Sequence, residues 1–302
     1  MLLSLARQAG LIVAALLAPL WPQAACAQAE RAAPYGFVWE ATRGAERVRL
    51  LGAMHVGRPA AAYRADHPAL RDVQVIAFEA RVFDAQASLA AAQRWATYPD
   101  GAPGLEARVD AALLARIEKL LERSGLPACC RMKPWMLAHT LVMIESLRAG
   151  LDPAYGSEAL LYQLALATGR PVVEIESVDE QLRLFDEAPL PVQLDYLRHT
   201  VGTIEDGSAR AEIELLVRAW ERGDAAALQR QLERMARAEG AAQRFVAERV
   251  IRDRHPKMAG AIERFAASGR LHLVAIGALH YFGPDGLLQM LSDRGFAVRR
   301  LQ

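Results

Sequence analysis

Apolar residues fall into two regimes along this chain. Between residues 36 and 78, and again between 271 and 301, they come in short runs bounded by turn residues, as strands do; between about 110 and 267 they recur at three- and four-residue spacing, as on helix faces. Gly36–Ala41 and Arg47–Gly52 flank the turn residues Arg43-Gly44-Ala45-Glu46 and predict a hairpin. Val73–Phe78 is a third strand, ending at Glu79. From Asp110 to Ser124, Leu113, Ile117, Leu120 and Leu121 share one helical face, closed by Gly125. Pro134 suits the first position of a helix running to about Ala149, with Gly150 as its stop. Ser157 reads as the N-cap of a helix ending at Gly169, and Pro171–Glu176 as a fourth strand. Val178 to Ala267 reads as nearly all helix, interrupted at Pro189-Leu190-Pro191, Gly207, Gly223-Asp224, Gly240 and Pro256. Leu271–Ile276 is a fifth strand, followed by a helix near Asp285–Arg294 and a last strand over Phe296–Leu301.

This order predicts an α/β (α+β) fold. Its central mixed β-sheet is built from N- and C-terminal strands, flanked by many helices, with a large helical insert over about 178–268. No linker rich in Pro, Gly or Ser and no fixed-period repeat divides residues 28–302, so they read as one domain. Met1–Ala27 carries one charge, Arg7, then an apolar stretch over Gly10–Leu20 and the small-residue end Ala25-Cys26-Ala27. That is the pattern of a secretory signal peptide cut before Gln28. The apolar stretch is short of the roughly 20 residues a membrane span needs. The expected location is therefore periplasmic or secreted, with no stable transmembrane span after cleavage.

Composition narrows the function. The 302 residues include 36 Lys and Arg against 35 Asp and Glu, a net charge of +1. Nucleic-acid binders carry a marked basic excess, so that class is excluded. Beyond the leader, Cys129 and Cys130 are adjacent and cannot staple a long loop. They read as small apolar fillers before a helix, with a strained disulfide or an intermolecular link as the alternatives.

One local pattern occurs twice. A strand ends in Gly52-Ala53-Met54-His55, and another in Gly277-Ala278-Leu279-His280, more than 220 residues later. Only a shared sheet brings them together. The glycine is expected to let the chain turn sharply off the strand, so that the His projects from the strand's carboxyl end, where ligand crevices of α/β sheets form. Glu79 also ends an apolar strand. Two imidazoles and a carboxylate at strand ends suit a divalent-metal site with open positions. His67, His139, His199 and His272 sit singly and read as surface or satisfied core groups.

These segments resemble the TraB/GumN family, whose animal relatives are the Tiki membrane proteases acting on Wnt proteins. The resemblance runs from about Phe37 to Leu301. It rests on Leu50–Gly57, Ala77–Ala80, Met132–Met136 opening a helix, Pro171–Ser177 with Gln181, and Val274–Gly283 through Gly286-Leu287. It implies a metal-dependent hydrolase, and the Tiki branch implies a metallopeptidase using manganese- or cobalt-type ions, with zinc and iron as the other candidates. Carried over, His55, Glu79 and His280 are the metal-site and catalytic residues, and Arg254 matches an Arg that precedes the second motif. Two positions depart from the family pattern. His255-Pro256 follows that Arg where Asn is common, and Ser157-Glu158 stands where an acidic residue is common near the helix start.

The expected chemistry has His55 and His280, both neutral, holding a divalent ion, with Glu79 as third ligand or general base. Activated water attacks a peptide or ester carbonyl of a protein or peptide substrate. Arg254 is expected to stabilise the oxyanion. Glu176 either orients a ligand from behind or is a plain salt-bridge partner. Trp135 and Tyr155 are candidate pocket walls, with core packing the simpler account of Trp135. The alternative is an exported binding protein that holds haem or a peptide in the same cleft without turnover.

Overall fold

The computed structural model describes residues 31–32, 36–59, 61–125 and 131–302. The expected signal peptide and the Cys129-Cys130 pair lie outside the described residues.

Six strands form one sheet: β1 (Phe37–Arg43), β2 (Glu46–Ala53), β3 (Val75–Phe78), β4 (Val172–Glu174), β5 (His272–Gly277) and β6 (Ala297–Arg300). Their order is β4-β3-β5-β2-β1-β6, so strands from opposite ends of the chain interleave. β1 and β2 form the expected antiparallel hairpin, and β6 adds antiparallel to β1. The other neighbours, β2 with β5, β5 with β3 and β3 with β4, are parallel. The sheet is therefore mixed, and the carboxyl ends of its four parallel strands share one edge.

Alternation along the strands explains why the sheet is covered on both faces. Leu50, Val274 and Ile276 pack on one side with Met258, Ala259, Ile262 and Leu287. Leu51, Ile76, Leu273 and Ala275 pack on the other with Leu160, Leu161 and Leu164. Strands buried on both faces must be apolar at nearly every position, which is why β5 reads as an almost unbroken apolar run.

The helices are α1 (Ala85–Trp95), α2 (Ala111–Glu122), α3 (Pro134–Arg148), α4 (Ser157–Thr168), α5 (Val178–Asp186), α6 (Leu190–Glu205), α7 (Ser208–Glu221), α8 (Ala225–Arg237), α9 (Ala241–Phe245), α10 (His255–Ala266) and α11 (Leu287–Asp293). No helix among the described residues is long and apolar enough to cross a membrane. α1 had no counterpart in the sequence pattern. Its alanines carry little periodic contrast, although Asp84 caps Ala87 in the manner of a helix start. The fourth strand also ends earlier than expected, at Glu174, although the Glu176 N–H still reaches the Glu79 carbonyl at 3.0 Å. Gly150, at φ 73°, follows the α3 C-cap in the left-handed conformation that favours glycine.

Helices α1, α2, α3, α5 and α6 build a core of their own. Leu113, Ile117, Leu120 and Leu121 of α2 meet Trp135, Leu137 and Leu141 of α3 and Leu197 and Val201 of α6. Trp135 is 2% exposed and stacks on Phe185 with ring centroids 5.6 Å apart, so it is a core residue and not a pocket wall. α7 ties the helical layer to the sheet, because Trp220 Nε1 donates to the Gly52 carbonyl at 2.6 Å. Replacing Trp135 with Ala is expected to destabilise the fold by about 3–5 kcal/mol in chemical denaturation, the usual cost of emptying a large aromatic site.

Candidate functional site at the carboxyl edge of the sheet

The parallel strands deliver four of the five expected site residues to one edge, and Arg254 reaches it from the turn before α10. His55 lies in the bend after β2, Glu79 directly follows β3, Glu176 lies two residues past β4, and His280 sits in the 3-10 turn Ala278–Tyr281 after β5. The backbone ladder runs on past the strand ends, with the Glu79 N–H donating to the Ala275 carbonyl at 2.9 Å. Tyr281, 1% exposed, donates its hydroxyl to the Val274 carbonyl at 3.2 Å and pins the turn to β5.

The glycines of the two motifs do different work from that expected. Neither Gly52 nor Gly277 has a positive φ, so neither supplies a sharp turn. They supply space instead. A Cβ on Gly52 would lie 3.3 Å from the Ala278 backbone, where the two motifs pack together. A Cβ on Gly277 would lie 3.4 Å from Glu79 Oε2, 3.4 Å from His280 Cδ2 and 4.0 Å from His55 Nε2. Three functional side chains therefore surround one small volume that only a missing side chain leaves open. His280 Nε2 stands 3.9 Å from Glu79 Oε2 across it.

Each imidazole is held from behind. His55 Nδ1 meets the Glu158 carboxylate at 2.6 Å, while 68% of its side chain remains exposed. Since a carboxylate only accepts, the Nδ1 proton faces Glu158 and Nε2 faces the shared volume. Glu158 itself is buried in the first turn of α4, where the helix dipole favours an anion, and accepts a further bond from Ser157 Oγ at 2.9 Å. The Glu158 charge, opposed by burial and screened at the exposed ring, raises the His55 pKa to about 9, so without a bound ion His55 is cationic near neutral pH, in place of the neutral ring expected. His280 is buried, with its Nδ1 3.1 Å from His255 Nε2. Burial pulls its pKa down to about 3.

The His55 bend is clamped by backbone contacts. Gly57 and Asp152 exchange N–H···O bonds of 3.0 and 2.8 Å, and Ser157 Oγ accepts from the Met54 N–H at 2.7 Å. Ser157 is thus the first residue of α4 and not its cap; Gly156 takes that place, because the serine hydroxyl is used on Met54.

Glu79 is the most constrained group of the site. Its Oε1 accepts from Arg254 at 2.6 Å and from Gln181 at 2.9 Å, and its Oε2 accepts from the Gly277 N–H at 2.9 Å. Burial opposes the charged form, but neighbouring positive charge and the Gly277 N–H outweigh it and hold the pKa near about 2. His280 contributes little of that charge at neutral pH, since its own pKa is about 3; Arg254 is charged throughout. Arg254 also reaches Glu176 Oε2 through Nε at 3.0 Å and NH2 at 2.6 Å, so Glu176 is its salt-bridge partner. A π-helical turn (Val246–Ile251) followed by a 3-10 turn (Arg252–Arg254) precedes α10, a change of pitch of the kind found at functional sites.

Two imidazole nitrogens and one carboxylate oxygen around an opening with no side chain suit a cation in donor chemistry. Among the described residues, however, no three His, Cys, Asp or Glu side chains stand ready as a metal-binding group. The fit is to an ion held by two imidazoles beside an already bonded carboxylate, and not to a preformed three-residue cage. His139 and His272 take structural roles, bonded to the Trp135 and Arg270 carbonyls.

Sequence reasoning missed Glu158, His255 and Gln181 as members of the site. For Glu158 and His255 the two departures from the family pattern were the only signal, since both fall where an imidazole finds its partner, and for Gln181 it was its place in the resemblance. The model of the TraB/PrgY/gumN family matches residues 37–300. No curated protein and no solved structure matches the chain.

A Cβ on Gly156 would lie 2.4 Å from the His55 carbonyl oxygen. Gly156→Ala is therefore expected to push the bend off α4 at a cost of about 1–3 kcal/mol. Hydrogen exchange should quicken at the Met54 and Gly57 amides and stay unchanged in β5.

Proposed function

We propose that this chain, which belongs to the TraB/PrgY/gumN family, is an exported metal-dependent hydrolase of the metallopeptidase type, acting on a protein or peptide. The observation that carries this reading is the convergence of His55 Nε2, His280 and Glu79 Oε2 on the volume left by Gly277. The Glu79 carboxylate and the bare His280 Nε2 face that volume, and an ion bound there would displace the Nε2 proton that the Glu158 charge keeps on His55. Export rests on the leader-like pattern of residues 1–27.

His55 and His280 would hold the ion, of the manganese or cobalt type with zinc and iron as the other candidates. When bound, such an ion supplies Lewis acidity, polarising a carbonyl and making water acidic enough to attack near neutral pH. The chain's own residues divide the remaining work. Glu158 orients His55 and keeps its Nδ1 proton away from the centre. Glu79, with its pKa near about 2, stays an anion and is poorly matched to taking and returning a proton at neutral pH. Its role is charge and orientation: it balances a cation and accepts a hydrogen bond from a water or a substrate N–H. Arg254, engaged by Glu79 and Glu176, holds the carboxylate in place, which replaces the oxyanion role expected from sequence. His55, being the exposed member, marks the side from which substrate enters.

The test is to strip the purified protein with a chelator, restore single ions and follow peptide cleavage. Ion-dependent turnover is expected, and His55→Ala or His280→Ala should lower it by about 100-fold or more. Failure of every ion to restore turnover, or full activity in His55→Ala, overturns the reading; a Soret band on adding haem, without cleavage, would favour the holding alternative.

Gly277→Ala gives a sharper prediction. Its Cβ would make ordinary contacts of 3.4–4.0 Å at a φ of −46°, so the fold should tolerate it to within about 1 kcal/mol. The methyl nevertheless occupies the shared volume, so ion-dependent turnover should be lost in a protein whose thermal unfolding is unchanged.

A further inference from the structure

We propose that His255 is a positioning residue that, anchored on the Asp285 backbone carbonyl, locks His280 in the tautomer whose Nε2 lone pair faces Glu79. The proposal deepens the function proposed above and rests on its assignment of His280 to the ion.

The argument is one of hydrogen-bond direction. His255 Nε2 and His280 Nδ1 are 3.1 Å apart, so a single proton lies between them. The other nitrogen of His255 decides whose it is. His255 Nδ1 is 2.6 Å from the Asp285 carbonyl oxygen, which can only accept, so Nδ1 carries a proton. His255 is 3% exposed and has no carboxylate among its hydrogen-bond partners, so burial outweighs the pull of the Asp285 and Glu79 charges and disfavours a second proton. Its Nε2 is therefore a bare acceptor, and the shared proton belongs to His280 Nδ1. His280 Nε2 is left unprotonated, 3.9 Å from Glu79 Oε2. A ring nitrogen without its proton is the form that binds an ion.

The fold fixes this relay at both ends. His255 is the first residue of α10, and Met258, Ala259 and Ile262 bury that helix against the sheet. Asp285 lies in a turn closed by the Gly286 N–H on the Gly283 carbonyl at 3.1 Å. The ring planes are twisted 74° with centroids 5.2 Å apart, a twist that still lets the N–H of one ring lie along the in-plane lone pair of the other. His55 is held at the same ring nitrogen, Nδ1, by a carboxylate, and His280 by a neutral ring.

The test reads the proton itself in the full-length, metal-free protein. Long-range proton–nitrogen spectra of 15N-histidine-labelled protein are expected to show His280 protonated at Nδ1 and bare at Nε2. His255→Gln, whose side-chain oxygen can accept the same proton, should keep that pattern, whereas His255→Phe should give mixed tautomers. Mn2+ and Zn2+ affinity by titration calorimetry should fall about 10–100-fold in His255→Phe and be largely rescued in His255→Gln. A proton on His280 Nε2 in the native protein, or an unaltered His280 tautomer in His255→Phe, overturns the proposal. Should His255→Phe not fold, the native spectrum and His255→Gln still decide it. If the native tautomer is as stated but neither ion binds, the positioning role stands and the metal assignment falls.

Discussion

The parallel pairing of β2 with β5 is the constraint from which the site follows. It sets Ala53 opposite Gly277 and so brings together two motifs more than 220 residues apart in sequence. Because side chains alternate faces along a strand, a slip of one residue would exchange the side chains that β5 packs against each helical layer, so the fit of two close-packed faces holds the register. The loops that leave the strands inherit this precision. The packing of Gly52 against Ala278 then leaves no room for a side chain between the motifs, while Gly277 keeps an opening at the point where three functional groups meet.

A second constraint is electrostatic. Glu79 and Glu176 are largely buried, and two carboxylates removed from water are costly unless paired. Arg254 answers both at once, with planar donors suited to carboxylates. Removing it would leave uncompensated charge on either side, so the ion pairs fix geometry more than they add stability. The result is a carboxylate whose position and charge hardly vary, set beside an imidazole that burial keeps neutral.

Much of this was legible in the sequence. The six sheet strands, the hairpin and the paired His motifs follow from apolar runs and punctuation, and Glu79 stands out because it ends a strand. What was not legible shares a cause. Glu158 and His255 act through residues distant in the chain, at 103 and 25 positions from the histidines they hold, and no periodicity encodes such contacts. Ser157 has the chemistry of a helix cap but is diverted to Met54 by tertiary contact. The motif glycines looked like turn formers, and only the packed sheet reveals them as spacers.

The place of β5 in the sheet bears on when the cluster at its carboxyl end can form. It lies between β3 and β2, yet it is drawn from a stretch that the ribosome makes only after residue 271. A nascent polypeptide can complete the hairpin and most helices while still lacking its second imidazole. The delay is written into topology: until β5 closes the gap between its neighbouring strands, His280 cannot meet His55 and Glu79, so the cluster is the last part of the sheet edge to assemble.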